Sequence, residues 1–157
     1  MLDRHLHPRL KPLLHRCVGI IDQQAITPDG LTLVGFAIGV LALPFLALGW
    51  YPAALAVIVL NRLFDGLDGA LARRRGLTDA GGFLDISLDF LFYALVPFGF
   101  MLADPAANSL AGGWLLFAFM GTGSSFLAFA ALAAKHQIDN PGYAHKSFYY
   151  LGGLTEG

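Results

Sequence analysis

The chain has 157 residues, 56% hydrophobic and 13% charged, with a mean hydropathy of +0.61; charged residues make up about a quarter of an ordinary soluble domain, which this composition excludes. A formal net charge of −1, with no basic run longer than Arg73-Arg74-Arg75, gives no footprint for nucleic acid. The one cysteine, Cys17, cannot form an intrachain disulfide, and the N-terminus lacks the basic-then-apolar run and small-residue cleavage site of a signal peptide. The class is all-α, a polytopic membrane helix bundle, read as one membrane domain over residues 1–157 with four spans visible.

Residues 1–28 form a juxtamembrane segment. Within it Leu10, Leu13, Leu14, Cys17, Val18 and Ile21 recur on one face of a 3.6-residue period, while Arg9, Lys11, His15, Arg16, Asp22 and Gln23 take the other. That pattern predicts an amphipathic helix lying in the membrane interface over residues 9–24. Thr27-Pro28-Asp29-Gly30 is a turn, with Thr27 as N-cap and Pro28 at the first helical position.

Span one follows over about residues 31–48, free of charge and long enough to cross. Pro44 predicts a kink, and Gly35-xxx-Gly39 gives weak support for close helix approach in a dimer. Gly49-Trp50-Tyr51-Pro52 reads as an interfacial turn. Span two begins near Ala53 and projects from the membrane around Arg73. Residues 76–82 read as a short loop, span three as about 83–102 with a kink at Pro97, residues 103–109 as a second loop, and span four as about 110–134.

The Gly121-Thr122-Gly123-Ser124-Ser125 centre of span four suits helix packing. Residues 135–157 read as a cytoplasmic loop leading toward a fifth span that the sequence does not reach. There His145 and Lys146, beside Phe148, Tyr149 and Tyr150, suit an interfacial aromatic belt, with head-group binding as the alternative. The cations precede span one or flank spans two and four, and the turns at 49–52 and 103–109 have none. The positive-inside rule therefore places the N-terminus and the acidic end of spans two and three on the cytoplasmic side.

One stretch, residues 61–93, carries the chemistry. Asp65, Gly69 and Arg73 are spaced i, i+4, i+8, with Asp68 and Ala72 on the same side, and Gly81, Asp85 and Asp89 repeat that spacing on span three. A carboxylate inside a membrane helix costs about 2.5–3.5 kcal/mol on insertion scales unless it is paired or ligated. Joined by a short loop, spans two and three are expected to be antiparallel neighbours whose acidic faces meet. An all-oxygen cage of four carboxylates suits Mg²⁺ or Mn²⁺, and Ca²⁺ by the same donor chemistry, over zinc. Two such ions would balance the charge. Gly69 and Ala72 leave a groove beside the cage, with Arg73 at its rim suited to a diphosphate. The competing readings are a helix-end network pairing these acids with Arg62, Arg73, Arg74 and Arg75, and a cation transporter or channel using the intramembrane carboxylates.

The run Asp65-x-x-Asp68-Gly69-x-x-Ala72-Arg73 followed by Gly81-x-x-x-Asp85-x-x-x-Asp89 resembles the signature of the CDP-alcohol phosphotransferase family, integral membrane enzymes of phospholipid synthesis. Seven residues separate Arg73 from Gly81, where the family has eight or slightly more, and the family has six spans. The resemblance implies transfer of a substituted phosphate from a CDP-alcohol, CDP-diacylglycerol foremost, to an acceptor alcohol, with release of CMP. It implies that Asp65, Asp68, Asp85 and Asp89 hold two divalent ions and that Asp89 is the general base. It also implies that Gly69, Ala72 and Arg73 contact the CDP moiety, with Gly81 and the acidic residues in the substrate-binding set. Membrane lipids and a homodimer partner follow from the same resemblance, as does an inner or plasma membrane location.

Overall fold

The computed structural model describes residues 26–136, which form five helical segments and no strand. They are α1 (Pro28–Val40), α2 (Ala42–Ala47), α3 (Tyr51–Arg75), α4 (Asp79–Ala103) and α5 (Pro105–Lys135). The interfacial helix expected over 9–24 and the His145–Lys146 cluster lie outside the described residues.

Local chemistry sets the boundaries. Thr27 caps α1 as expected, its Oγ1 accepting from Gly30 N at 3.1 Å, with Pro28 in the first turn. Pro44 has no N–H to give the Val40 carbonyl, and the helix breaks there, α1 ending at Val40 and α2 resuming at Ala42. Pro97, by contrast, lies within an unbroken and buried stretch of α4. The two expected loops prove shorter than their composition suggested. Thr78 caps α4 by accepting from Gly81 N at 3.0 Å, so the connection from α3 is Gly76 to Thr78. Asp104 caps α5 by accepting from Ala107 N at 3.0 Å, leaving Asp104 as the whole connection. Gly76, at φ +109°, permits the reversal after Arg75, a conformation that side chains with a Cβ disfavour.

Segments α1–α2 together (Pro28–Ala47), α4 and α5 are long and apolar enough to cross a membrane. Helix α3 is as long as α4, at 25 residues, but Asn61, Arg62, Asp65, Asp68 and its three terminal arginines make it much less apolar. The four expected spans thus correspond to helical stretches of which three are apolar enough to cross, and the fourth, α3, carries half the acidic motif.

The packing order was not visible in the sequence. Helix α1 packs closely on both α3 and α4, and α2 packs on both as well. Helices α3 and α4, expected to be neighbours, make no comparable backbone approach, and α5 rests on α4. Gly35 and Gly39 make this wedge possible. A Cβ on Gly35 would fall 2.6 Å from Phe64 Cβ, and one on Gly39 would fall 2.9 Å from both Asn61 Nδ2 and the Phe92 ring. The small-residue pair is therefore used inside the chain, and it no longer argues for a dimer.

Two small apolar clusters bracket the polar layer. Leu31 and Leu71 close one end, with Phe64 and Leu67 against them; Ala42, Leu46 and Ala54 close the other, with Leu95 and Val96. In α5, Thr122, Ser124 and Ser125 hydroxyls donate back to carbonyls of their own helix, and Gly123 accommodates the Phe90 ring. Of the centre expected to pack, only Gly123 is buried against a neighbour; Gly121, Thr122, Ser124 and Ser125 are exposed among the described residues.

Overpacking a tight seam costs about 1–3 kcal/mol. Gly35→Ala is therefore expected to lower the unfolding midpoint in detergent by several degrees, whereas Gly121→Ala, with nothing within 4 Å of its new methyl, leaves it unchanged or higher. Equal midpoints for the two variants would contradict the wedge.

Candidate metal and diphosphate site

The acidic residues line one cavity between α1, α3 and α4. Its walls are Thr32, Gly35 and Phe36 from α1, Asn61, Arg62, Asp65 and Asp68 from α3, and Asp85, Leu88 and Asp89 from α4. The space within it is about 10 Å³, room for one water-sized occupant. Because α1 forms the floor, the carboxylates of α3 and α4 meet across a gap instead of at a helix–helix seam.

Three of the four acids converge. One carboxylate oxygen from each of Asp65, Asp68 and Asp85 lies within 4.8 Å of the other two. Asp68 is 4% exposed, and its Oδ2 has no hydrogen-bond donor. A buried acceptor left without a partner is costly, so this oxygen marks where a cation fits. The donor set is carboxylate oxygen alone, as a hard divalent ion prefers. The residues therefore suit the metal that the motif implies.

Asp89 lines the same cavity but is held differently. Its Oδ1 accepts from Arg62 Nη2 at 2.8 Å, and Arg62 Nη1 lies 3.7 Å from Asp65 Oδ2. One part of the helix-end network considered as an alternative is thus present, centred on Arg62. The sequence places Arg62 at these acids only in that competing network and gives Asn61 no role. The signal was there: two strongly polar residues one turn before Asp65, deep in a span.

The remaining motif residues, Gly69, Ala72, Arg73 and Gly81, are not among those that line the cavity. The Arg73 guanidinium folds over Gly69, where a Cβ would stand 3.2 Å from Nη1. Ala72 is half-buried beside them. Gly81 does not line the cavity. It gives room to α1, since a Cβ there would meet Asp29 Oδ1 at 3.0 Å and Thr78 Oγ1 at 2.9 Å. Arg75 donates to the Ile26 carbonyl, tying the end of α3 to the entry of α1.

Comparison with known proteins agrees with this geometry. The chain is 88% identical over its whole length to inner membrane protein YnjF of Escherichia coli K12, covering 76% of that protein. It is 37% identical over 98 residues to archaetidylinositol phosphate synthase of Pyrococcus horikoshii, an alignment spanning 62% of the chain and 52% of the synthase. The synthase of the same name from Methanothermobacter thermautotrophicus is 36% identical over 93 residues, 58% of the chain and 48% of that protein. No solved structure matches the chain. The model of the CDP-alcohol phosphatidyltransferase family matches residues 25–148, a region that contains all five helices and the whole acidic motif. The chain is a membrane protein and a transferase of phospholipid synthesis, and it belongs to the CDP-alcohol phosphatidyltransferase family.

Proposed function

We infer that the protein transfers a phosphatidyl group from CDP-diacylglycerol to an acceptor alcohol, releasing CMP, with Asp65, Asp68, Asp85 and Asp89 holding divalent ions, Mg²⁺ or Mn²⁺. The observation that carries this reading is the convergence of the Asp65, Asp68 and Asp85 oxygens around the buried, donorless Asp68 Oδ2. When bound, the ions would offset the charge of the diphosphate and of the departing CMP.

The chain's own groups do the rest. Arg73, folded over Gly69, binds the diphosphate through charge-assisted hydrogen bonds. Gly69 and Ala72 leave the nucleotide room to lie against α3. Asp89 takes the proton of the acceptor hydroxyl, whose oxygen attacks the phosphorus carrying the diacylglycerol. The bond from that phosphorus to the bridging oxygen breaks, and CMP leaves. Neighbouring apolar side chains limit water as a rival acceptor. Lipid donor enters sideways from the bilayer, and the site opens on the cytoplasmic side, where the Arg73-Arg74-Arg75 end of α3 lies by the positive-inside rule. Two relatives named for making archaetidylinositol phosphate keep a phosphorylated inositol among the acceptors to test first. Glycerol phosphate and serine stand beside it.

The homodimer remains part of this reading by family resemblance alone. The cation-pathway alternative gains no support. Among the described residues the other acids, Asp29, Asp79 and Asp104, stand at helix starts or caps, not at successive depths.

Purified protein supplied with Mg²⁺, CDP-diacylglycerol and single candidate alcohols is expected to release CMP with one of them. Asp89→Asn should lower that rate by about 10²–10⁴-fold, the usual worth of a general base. CMP release by Asp89→Asn at the wild-type rate would exclude its role. Chelation should abolish turnover, and Mg²⁺ or Mn²⁺, but not Zn²⁺, should restore it; turnover that survives chelation removes the metal from the reaction. Arg73→Gln should raise the KM for the CDP-alcohol about 10- to 100-fold, the equivalent of one or two charge-assisted bonds. An unchanged KM would place the diphosphate elsewhere.

A further inference from the structure

Arg62 stands inside the carboxylate layer, fixed from several sides. Asn61 Oδ1 accepts from its Nε at 2.9 Å and from its Nη2 at 2.6 Å. Nη1 donates to the Tyr93 hydroxyl at 3.1 Å, and the guanidinium carbon lies 4.7 Å from the centre of the Phe92 ring and 5.2 Å from that of Tyr93. Asn61 is itself buried, 4% exposed, and its Nδ2 donates to the Gly35 carbonyl at 3.0 Å. The guanidinium is therefore braced from α1 through Asn61, and from α4 through Phe92 and Tyr93. A rigid planar cation held this way works as a fixed structural charge. What it holds is Asp89, at 2.8 Å, the one motif carboxylate outside the group formed by Asp65, Asp68 and Asp85.

We propose that Arg62 is the built-in counterion of Asp89, so that the substrate-free protein takes a single divalent ion, on Asp65, Asp68 and Asp85. Resting on the reading of this cage as a metal site, the proposal adds which part of it fills first and why. With four carboxylates ionised, Arg62 and one divalent ion leave one negative charge. A second ion would leave one positive charge in a poorly solvated site and would compete with Arg62 for Asp89. Arg62 is in this sense a positioning residue. It keeps Asp89 oriented and off the first ion, and a second ion enters only with the anionic diphosphate that restores the balance.

The test is Mn²⁺ stoichiometry on the purified full chain in detergent without nucleotide, by equilibrium dialysis and electron paramagnetic resonance. Wild type is expected to hold one tight Mn²⁺ per chain with an uncoupled six-line spectrum. Arg62→Gln should hold two, with the broadened signal of a spin-coupled pair, and Arg62→Lys, which keeps the charge, should stay at one. Two equivalent ions in wild type, or one ion in a folded Arg62→Gln variant, would overturn the proposal. The wild-type count decides it even where Arg62→Gln does not fold. Two ions in a wild type that still releases CMP in a Mg²⁺-dependent assay would sink the role of Arg62 alone. A wild type that holds no tight Mn²⁺ overturns the metal-site reading and this proposal with it.

Discussion

The arrangement depends on one close approach, that of α1 to α3 and α4 at Gly35 and Gly39. Without a Cβ at these positions, Phe64, Asn61 and Phe92 can lie against the α1 backbone. The first helix then becomes a floor, and the two acid-bearing helices stand apart around it. That separation turns four acids from a repulsive seam into the walls of a cavity. The Gly35 carbonyl, exposed by the same absence of side chain, receives Asn61, which in turn orients Arg62. One packing choice thus sets both the width of the site and the direction of its internal cation.

Charge compensation then follows in layers. Asp89 is satisfied by an arginine of the chain itself, while Asp68 keeps an oxygen without a hydrogen-bond partner among the described residues. The first is a settled pair; the second is a demand placed on a ligand. Burying a lone carboxylate is expensive enough that such an oxygen persists only where something outside the chain is meant to meet it. Arg73 lies beyond these residues at the end of α3, close over Gly69. The cations are therefore graded along the helix, from a braced structural one to one that a substrate can reach.

Much of this was legible before any coordinates. Spacing of four and eight residues put Asp65 and Asp68 on one helix face and Asp85 and Asp89 on another, and the cap at Thr27 and the break near Pro44 were written in residue type. Loop lengths were not, because Thr78 and Asp104 look like loop composition until their side chains are seen to start the next helix. Partner choice was not either. A period of 3.6 residues says which face is apolar but not which helix it meets, so Gly35 and Gly39 gave only weak support for a second copy, and they serve α3 and α4. Asn61 had no role and Arg62 only one in a competing helix-end network, since a cation in a span reads as an anchor until its neighbours are known.

Helix α3 also acts as a depth gauge. Its start at Tyr51, which stacks on Phe100 beside the turn containing Trp50, is an aromatic layer of the kind that settles at a membrane surface. At about 1.5 Å per residue, Arg73 is roughly 33 Å from that layer and Asp65 and Asp68 are roughly 21–26 Å from it, while the hydrocarbon core is about 30 Å thick. On that scale the carboxylates lie about 4–9 Å inside the opposite edge of the hydrocarbon core, at the level of the upper acyl chains. For the lipid donor proposed above, a site at that depth would call for a vertical displacement of several ångströms, about 4–9 Å on this scale, with the acyl chains still in the bilayer.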